Sequence, residues 1–411
     1  MAGRAVILGA GVAGLTTALA LARGGVPVDV LERDRAQAPL GRRSAATWVR
    51  EGAPQVQHAH VFGPDFHRLL ARELPDVLAL LLAAGAHEFS VGSHDLPAAE
   101  LSAPGHSSGG SPGPGSALAL RRPLLDWVLR RVAEREPGVR VHCGTPATGL
   151  RTDGSRLTGV LVEGGVLAAD LAVDATGSRT RTAAWLADLG YSCAHPVTPD
   201  PPASTTYYSR CYSRRWPGDP GAVDFGAALG GGFDGYQCRA VPGDNDTFTV
   251  TFGIPDASVD AAAVPSALRM PQGFQAAAEH VPLIADWVDP RTADPLTGVA
   301  VLKDWPPPGG RGVPDLASLP GLVAVGDARG ASDPAAADGV TVAMAQGLAC
   351  ASAILACESS SAELEKLVGV AGVPAGEPGL PVPRKRPLGG PNVRELARIA
   401  DSVGRVARIS A

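Results

Sequence analysis

Arg4-Ala5-Val6-Ile7-Leu8-Gly9-Ala10-Gly11-Val12-Ala13-Gly14 is the most informative stretch of the chain. A short apolar run of strand length meets three glycines in the spacing G-x-G-x-x-G. Leu15 to Arg23 is Ala/Leu-rich and stops at Gly24-Gly25, as a helix does. Val26-Pro27-Val28-Asp29-Val30-Leu31-Glu32 then reads as a second strand. The stretch predicts a βαβ unit with its glycines at the first strand-to-helix turn. Such a turn needs Gly9 for its tightness, Gly11 for close approach of a pyrophosphate, and Gly14 for packing of helix on strand. The helix N-terminus around Val12 and Ala13 offers free N–H groups and partial positive charge to phosphates. Glu32 ends the second strand, where a carboxylate can accept hydrogen bonds from a ribose diol. A bound dinucleotide is the expectation.

The glycine pattern alone would decide nothing, because 51 of 411 residues are Gly. A second copy stands at Gly230, Gly232 and Gly235. It runs into Tyr236-Gln237-Cys238-Arg239, which is no helix, and reads as a Gly-rich β-loop.

Composition narrows the classes. A hydrophobic fraction of 45% suits a globular core, and 411 residues suffice for two or three domains or one interleaved unit. A net charge of −5, from 36 Lys+Arg and 41 Asp+Glu, argues against nucleic-acid binding. No uninterrupted apolar run is read as approaching the roughly 18 residues of a membrane helix, so no membrane span is expected. The six cysteines form no C-x-x-C pair, which argues against a zinc ribbon or disulfide framework. The N-terminus does not read as a signal peptide. These features together predict a cytoplasmic chain with reduced cysteines.

Further along, 66–84 reads as helix interrupted by Pro75, and Pro123 to Arg135 as a second helix. Residues 102–117 are Ser/Gly/Pro-rich and read as loop. Val139-Arg140-Val141-His142 and 157–174 alternate apolar and polar residues, which suggests hairpins. Short strand-like runs follow in 205–254. Leu322 to Val325 is a late strand, Gly339 to Cys357 a small-residue helix, 369–391 a Pro/Gly linker, and Asn392 to Ile409 an amphipathic, Arg-rich helix that could touch a membrane or a partner, docking of its apolar side on the body being the expectation.

NAD and FAD share the adenylate end, so the first unit does not separate them. A second stretch does. Leu322-Val323-Ala324-Val325-Gly326-Asp327 is a strand ending in Gly-Asp, followed by Ala328, Arg329, Pro334, Gly339 and the small-residue helix. A carboxylate at a strand's end can hold a polyol such as ribityl, and the following helix N-terminus can stabilise charge on a reduced flavin.

This combination resembles the FAD-dependent monooxygenases of the p-hydroxybenzoate hydroxylase superfamily. Gly9-x-Gly11-x-x-Gly14 with Glu32-Arg33 looks like the first FAD motif of that superfamily, and Gly326-Asp327 with Pro334-x-x-x-x-Gly339 like its second. Arg50-x-Gly52-x-Pro54-Gln55-x-x-His58-x-His60, Arg122-Pro123-Leu124-Leu125-Asp126-Trp127 and Val173-Asp174-Ala175-Thr176-Gly177 resemble the bacterial natural-product oxygenases that include polyether-antibiotic epoxidases. The resemblance implies that Glu32 binds the adenosine ribose, with Arg33, Arg42 or Arg43 near the adenylate. It implies that Arg122 reaches the FAD linker and that Asp327 binds ribityl and pyrophosphate. Pro334, Gly339 and Val340 would line the flavin ring, and Thr176 and Gly177 would join the cofactor site.

Two departures matter. Single-component hydroxylases carry an Asp-Gly motif that serves FAD and NAD(P)H. Here the stretch reads Asp174-Ala175-Thr176-Gly177-Ser178-Arg179, which leaves direct reduction by NADPH or NADH open beside a separate flavin reductase. Flavin halogenases carry a Trp-rich motif and an active-site Lys, but Gly235 to Pro242 has no Trp and the Lys residues Lys303, Lys366 and Lys385 lie late. His58 and His60 would share one side of a strand, but no third ligand stands near, and no metal is expected.

The fold implied is α/β. A Rossmann-like FAD-binding domain with a mostly parallel sheet (1–75, 118–192, 292–362) would interleave with a β-sheet substrate domain (76–117, 193–291), leaving 363–411 as linker and C-terminal helix. The implied reaction is monooxygenation. Reduced FAD and O₂ give a flavin C4a-hydroperoxide that passes one oxygen to a small-molecule natural-product substrate, by epoxidation or hydroxylation, without a catalytic side chain of its own. The alternatives are a flavin-dependent reductase or dehydrogenase of an isoprenoid-like substrate and a non-redox FAD-binding protein.

Overall fold

The structure, a computed structural model, describes residues 4–35, 37–39, 41, 48, 50–91, 115–191, 205–215, 229–255, 267–282, 284–303, 319–330, 339–356 and 390–409. It opens with strand β1 (Ala5–Leu8), helix α1 (Val12–Arg23) and strand β2 (Val28–Glu32). Helices α2 (Pro64–Glu73) and α3 (Pro75–Ala83) precede β3 (His87–Val91), β4 (Gly115–Ala119) and helix α4 (Arg122–Arg135). Next come β5 (Val139–Cys143), β6 (Ala147–Thr152), β7 (Leu157–Val162), β8 (Gly165–Ala168), β9 (Leu171–Asp174) and α5 (Thr182–Asp188). Strands β10 (Thr205–Arg214), β11 (Leu229–Phe233), β12 (Tyr236–Pro242) and β13 (Thr247–Pro255) are followed by α6 (Pro271–Glu279), α7 (Ala285–Val288), β14 (Ala293–Pro295) and β15 (Ala300–Leu302). The last elements are β16 (Leu322–Ala324), α8 (Gly339–Ala356) and α9 (Val393–Ile409).

The chain divides into two units. The first is Met1–Pro54, Asp126–Pro202 and Pro306–Leu380; the second is Gln55–Leu125, Ala203–Trp305 and Pro381–Ala411. The borders differ from those expected. Residues 55–75 fall in the second unit because Phe62 bridges Leu118 and α2 packs on β4. The expected border at 117/118 moves to 125/126, inside α4. The C-terminal helix joins the second unit, where Leu396, Ala397 and Ala400 enter the core.

The first unit is an α/β fold of Rossmann type. Its five-stranded sheet has the order β16-β9-β1-β2-β5, all pairs parallel. All of β1, β2 and β9 is buried, as expected where both faces of a parallel sheet are covered. From β1 the chain steps to β2 and β5 on one side, and later to β9 and β16 on the other. A switch of direction at β1 opens a crevice at the carboxyl ends of β1 and β9, where ligands bind in such sheets. A three-stranded antiparallel sheet, β6-β7-β8, adds Leu150, Leu157 and Val160 to the core. Strand β5 is a parallel edge strand on β2 rather than half of the expected hairpin, and within 157–174 only β7 and β8 form one, since β9 pairs parallel with β1.

Helix α8 corrects a further expectation. It runs for 18 residues without a charge and is long and apolar enough, by composition, to cross a membrane. In the first unit it lies against α1. A Cβ on Gly347 would stand 2.8 Å from the Ala13 carbonyl, so a small residue there lets the helices meet. Val340, Met344, Gly347, Cys350, Ala351, Ala353 and Ile354, 39% of the helix, are buried.

The second unit is built on a six-stranded antiparallel sheet, β11-β12-β13-β10-β14, with β15 also paired to β10. The second glycine copy forms β11 and the turn into β12, with Gly235 at φ +83°, as its reading as a β-loop required. One face carries Tyr208, Tyr212, Tyr236, Phe248, Phe252 and their neighbours against α6, α7 and α9. Pro75 interrupts the expected helix at Leu74, which separates α2 from α3.

Candidate functional site

The three glycines at the β1–α1 turn do different work. Gly9 has φ +105°, and a Cβ there would lie 2.6 Å from the Ala175 carbonyl oxygen. A Cβ on Gly14 would lie 2.0 Å from the Gly9 carbonyl. These two glycines are demanded by the turn itself. Gly11 is not, since a Cβ there would meet nothing within 4 Å. Gly11 is the N-cap of α1 and brings no side-chain cap. The first-turn N–H groups, those of Val12, Ala13 and Gly14, therefore have no intrahelical acceptor, while the space in front of Gly11 stays open. An open, N–H-lined helix end at a sheet crevice fits a pyrophosphate, which would also account for the glycine that the turn does not require.

Glu32, at the end of β2, is buried. Its Oε2 accepts from Ala10 N at 3.1 Å and Arg50 Nη2 at 2.6 Å, and its Oε1 accepts from Asp34 N at 2.9 Å. Three of about four acceptor sites are filled, leaving one on Oε1 for a hydroxyl. Arg50 also donates to Asp126 Oδ2 at 2.9 Å, forming a buried Glu32–Arg50–Asp126 triad. Burial opposes the Arg50 charge, and the two carboxylates more than offset it, raising its pKa. The sequence motif containing Arg50 does not disclose this role, since both carboxylates that it joins are distant in sequence. Arg33 Nη2 donates to the Gly52 carbonyl at 3.2 Å, and Gly52 N donates to Asp34.

The second stretch comes to the first through the sheet. Strand β16 pairs with β9, which pairs with β1, and Val325 N donates to the Asp174 carbonyl at 2.9 Å. Gly326 takes φ +62°, and a Cβ there would press on Ala13 Cβ at 3.1 Å. Gly326 N donates to Gln346 Oε1 at 2.7 Å, so a polar residue within the apolar α8 fixes this turn, a role not read from the sequence. Asp327 follows, partly exposed, and Gly339 and Val340 begin α8. The two glycine turns thus meet at Ala13.

Asp174 closes β9. It accepts from Thr176 N at 2.9 Å, Thr176 Oγ1 at 2.6 Å, and the hydroxyls of Thr180 and Thr182. Its acceptor capacity is spent within its own loop. Thr176 is held by the same contacts, and Gly177 turns the chain at φ +80°. Arg122 is buried at the start of α4. Arg42, Arg43 and Pro334 lie outside the described residues, as do 102–114 of the expected loop and 369–389 of the linker.

In the second unit, His58 and His60 are not on a strand, so they do not share a face. His58 Nδ1 lies 2.8 Å from Ser209 Oγ, which lies 2.7 Å from Thr251 Oγ1. His58 Nε2 is buried and has no hydrogen-bond partner among the described residues. Burial pushes the imidazole pKa down to about 4. His60 Nδ1 instead meets the His58 carbonyl at 2.9 Å. Nearby, Arg121 grips Asp244 through Nε at 3.1 Å and Nη2 at 2.7 Å.

The chain belongs to the FAD dependent oxidoreductase family, whose profile matches residues 4–255. Comparison with curated proteins yields no match. Among solved structures, the flavin-dependent brominase Bmp2 is similar at 17% identity and TM-score 0.61, over 90% of this chain and 83% of that one. PqsL of Pseudomonas aeruginosa, described as a probable FAD-dependent monooxygenase, is similar at 15% identity and TM-score 0.58, over 99% and 98%. A flavoprotein/dehydrogenase of Cytophaga hutchinsonii is similar at 16% identity and TM-score 0.59, over 89% and 79%. At these identities the likeness is one of fold.

Proposed function

We propose that the protein is an FAD-dependent monooxygenase that passes one oxygen atom of O₂ to a small hydrophobic natural-product intermediate, by epoxidation or hydroxylation. The observation that carries this reading is the contrast at the first turn. Gly9 and Gly14 are required by packing, whereas Gly11 fronts open space before uncapped N–H groups. The pyrophosphate of FAD would sit there, with the ribose on the remaining acceptor site of Glu32 and Arg33 near the adenylate. Asp327 would take the ribityl, Gly339 and Val340 the pyrimidine edge, and Thr176 and Gly177 the neighbouring loop.

Bound FAD would supply the activation of O₂ and the oxygen transfer. The chain's own residues would orient substrate and cofactor and exclude water. NADPH or NADH would be the electron source. Asp174 spends its hydrogen-bonding capacity on Thr176, Thr180 and Thr182, which favours delivery through a separate flavin reductase. The fold likeness to PqsL supports the monooxygenase reading.

The likeness to a dehydrogenase supports a second reading, oxidation or reduction of an isoprenoid-like substrate without oxygen insertion. The test is to purify the protein, record its visible spectrum, reduce it with NADPH, NADH or a flavin reductase, and assay candidate olefins and phenols with and without O₂. The first reading expects product carrying one ¹⁸O atom from ¹⁸O₂. Turnover under argon would support the second, and a flavoprotein that is never reduced would leave a non-redox FAD-binding role.

A further inference from the structure

The six-stranded sheet of the second unit has two unlike faces. Tyr208 and Tyr212 of β10, Val250 and Phe252 of β13, and Cys238 and Ala240 of β12 point into the apolar core. Alternation places Ser209, Thr251 and Arg239 on the opposite face. Register sets these three side by side, Ser209 opposite Thr251 and Thr251 opposite Arg239. Directly opposed residues of antiparallel strands share a face, and neighbouring strands are about 4.8 Å apart, so the Cα atoms of Ser209 and Arg239 lie about 10 Å apart.

Two polar groups on this face lack a charged or hydrogen-bonding partner among the described residues. His58, held by Ser209, keeps its buried Nε2 without a partner among the described residues. Arg239 is partly buried, and no carboxylate pairs with it among the described residues. Burial lowers the pKa of its guanidinium, and only Tyr207 offsets this. The contrast is Arg121 on the same face, which donates to Cys211 Sγ at 3.5 Å and has Asp244 for itself. A desolvated cation without a counter-charge is costly to the fold, and the cost is recovered when an anion arrives.

We propose that this polar face binds a small organic anion, with Arg239 pairing with its charge and His58 Nε2 hydrogen-bonding a second polar atom within one molecule's reach. This rests on reading the second unit as the substrate carrier and narrows the substrate to compounds bearing a carboxylate or a comparably acidic oxygen. An uncharged olefin would leave Arg239 unpaired.

Isothermal titration calorimetry of the full chain, with and without added FAD, tests this independently of turnover. The probes are benzoate, phenylacetate and 2-naphthoate, each against its neutral amide, with sodium bromide at matched ionic strength. The expected result is at least a tenfold preference for one carboxylate over its amide, lost in Arg239→Gln. His58→Gln should weaken that carboxylate several-fold. Arg239→Gln should also melt no lower than the parent, because it removes an unpaired charge, whereas an arginine needed structurally would lower Tm. No carboxylate preference in any pair, an unchanged preference in Arg239→Gln, or bromide binding as tightly as the carboxylates would overturn the proposal. Carboxylate preference without FAD binding would leave it standing and remove the flavoenzyme reading; FAD binding without carboxylate preference would do the reverse.

Discussion

Arg50 Nη2 lies 2.6 Å from Glu32 Oε2, and both side chains are buried. The carboxylate expected to meet a ribose is therefore first an anchor for the loop at Arg50 and, through Ala10 N, for the glycine turn. Arg50→Met removes the cation shared by two buried carboxylates, Glu32 and Asp126, and should destabilise the fold by about 3–5 kcal/mol. Arg50→Lys should cost less, because it keeps the charge but cannot reach both carboxylates with the same geometry. Urea unfolding of the two variants checks this; equal, near-zero shifts would show the triad to be incidental.

Gly14 tests the turn. An alanine Cβ there would lie 2.0 Å from the Gly9 carbonyl, so α1 must move away from β1. Gly14→Ala should lose about 3 kcal/mol or more, read as a drop in denaturation midpoint, and FAD retention with it.

The glycine turn was legible because G-x-G-x-x-G between a strand-length apolar run and a helical one is a local pattern, whereas the approach of Ala175 to Gly9 depends on tertiary structure. Strand β5 was misread for a reason equally physical. It is the edge of the parallel sheet with Val139 buried and Arg140 exposed, so its alternation is that of a hairpin strand. The Arg50 triad and the Asp174 threonine cluster depend on tertiary approach. So does the lack of a carboxylate beside Arg239 among the described residues, which no spacing in the chain announces. Helix α8 was read as a helix, but its uncharged length was overlooked because Gln346, Thr341 and small residues interrupt the run of large apolar ones.

His58 gives a pH signature. Its pKa is about 4 in the fold and near 6.5 when unfolded. Below pH 6.5 the unfolded chain takes up a proton that the folded chain refuses. Stability is therefore full above 6.5 and falls as pH drops toward 4, by up to about 1.4 kcal/mol per pH unit from this group. His58→Gln cannot titrate. The difference between parent and variant, from unfolding midpoints at pH 7, 5.5 and 4.5, should shift steadily in the variant's favour. A difference independent of pH would mean that His58 is exposed.

Leu396 tests the docking of α9. It is fully buried among Phe274, Ala277 and the second unit's core. Leu396→Ala should cost about 2–4 kcal/mol in chemical denaturation. Loss of less than about 0.5 kcal/mol would place α9 off the body.

Gly11 is the residue of the turn that a ligand, rather than packing, would require. Gly11→Ala meets no atom within 4 Å, and its effect on stability should stay within about 1 kcal/mol, the size of an N-cap change. The decisive measurement is an FAD titration of parent and Gly11→Ala, followed by quenching of flavin fluorescence. The parent should bind, and the variant, still folded, should bind at least about tenfold more weakly, a difference of about 1.4 kcal/mol. Equal affinity of the two proteins, or no binding by the parent, would contradict it.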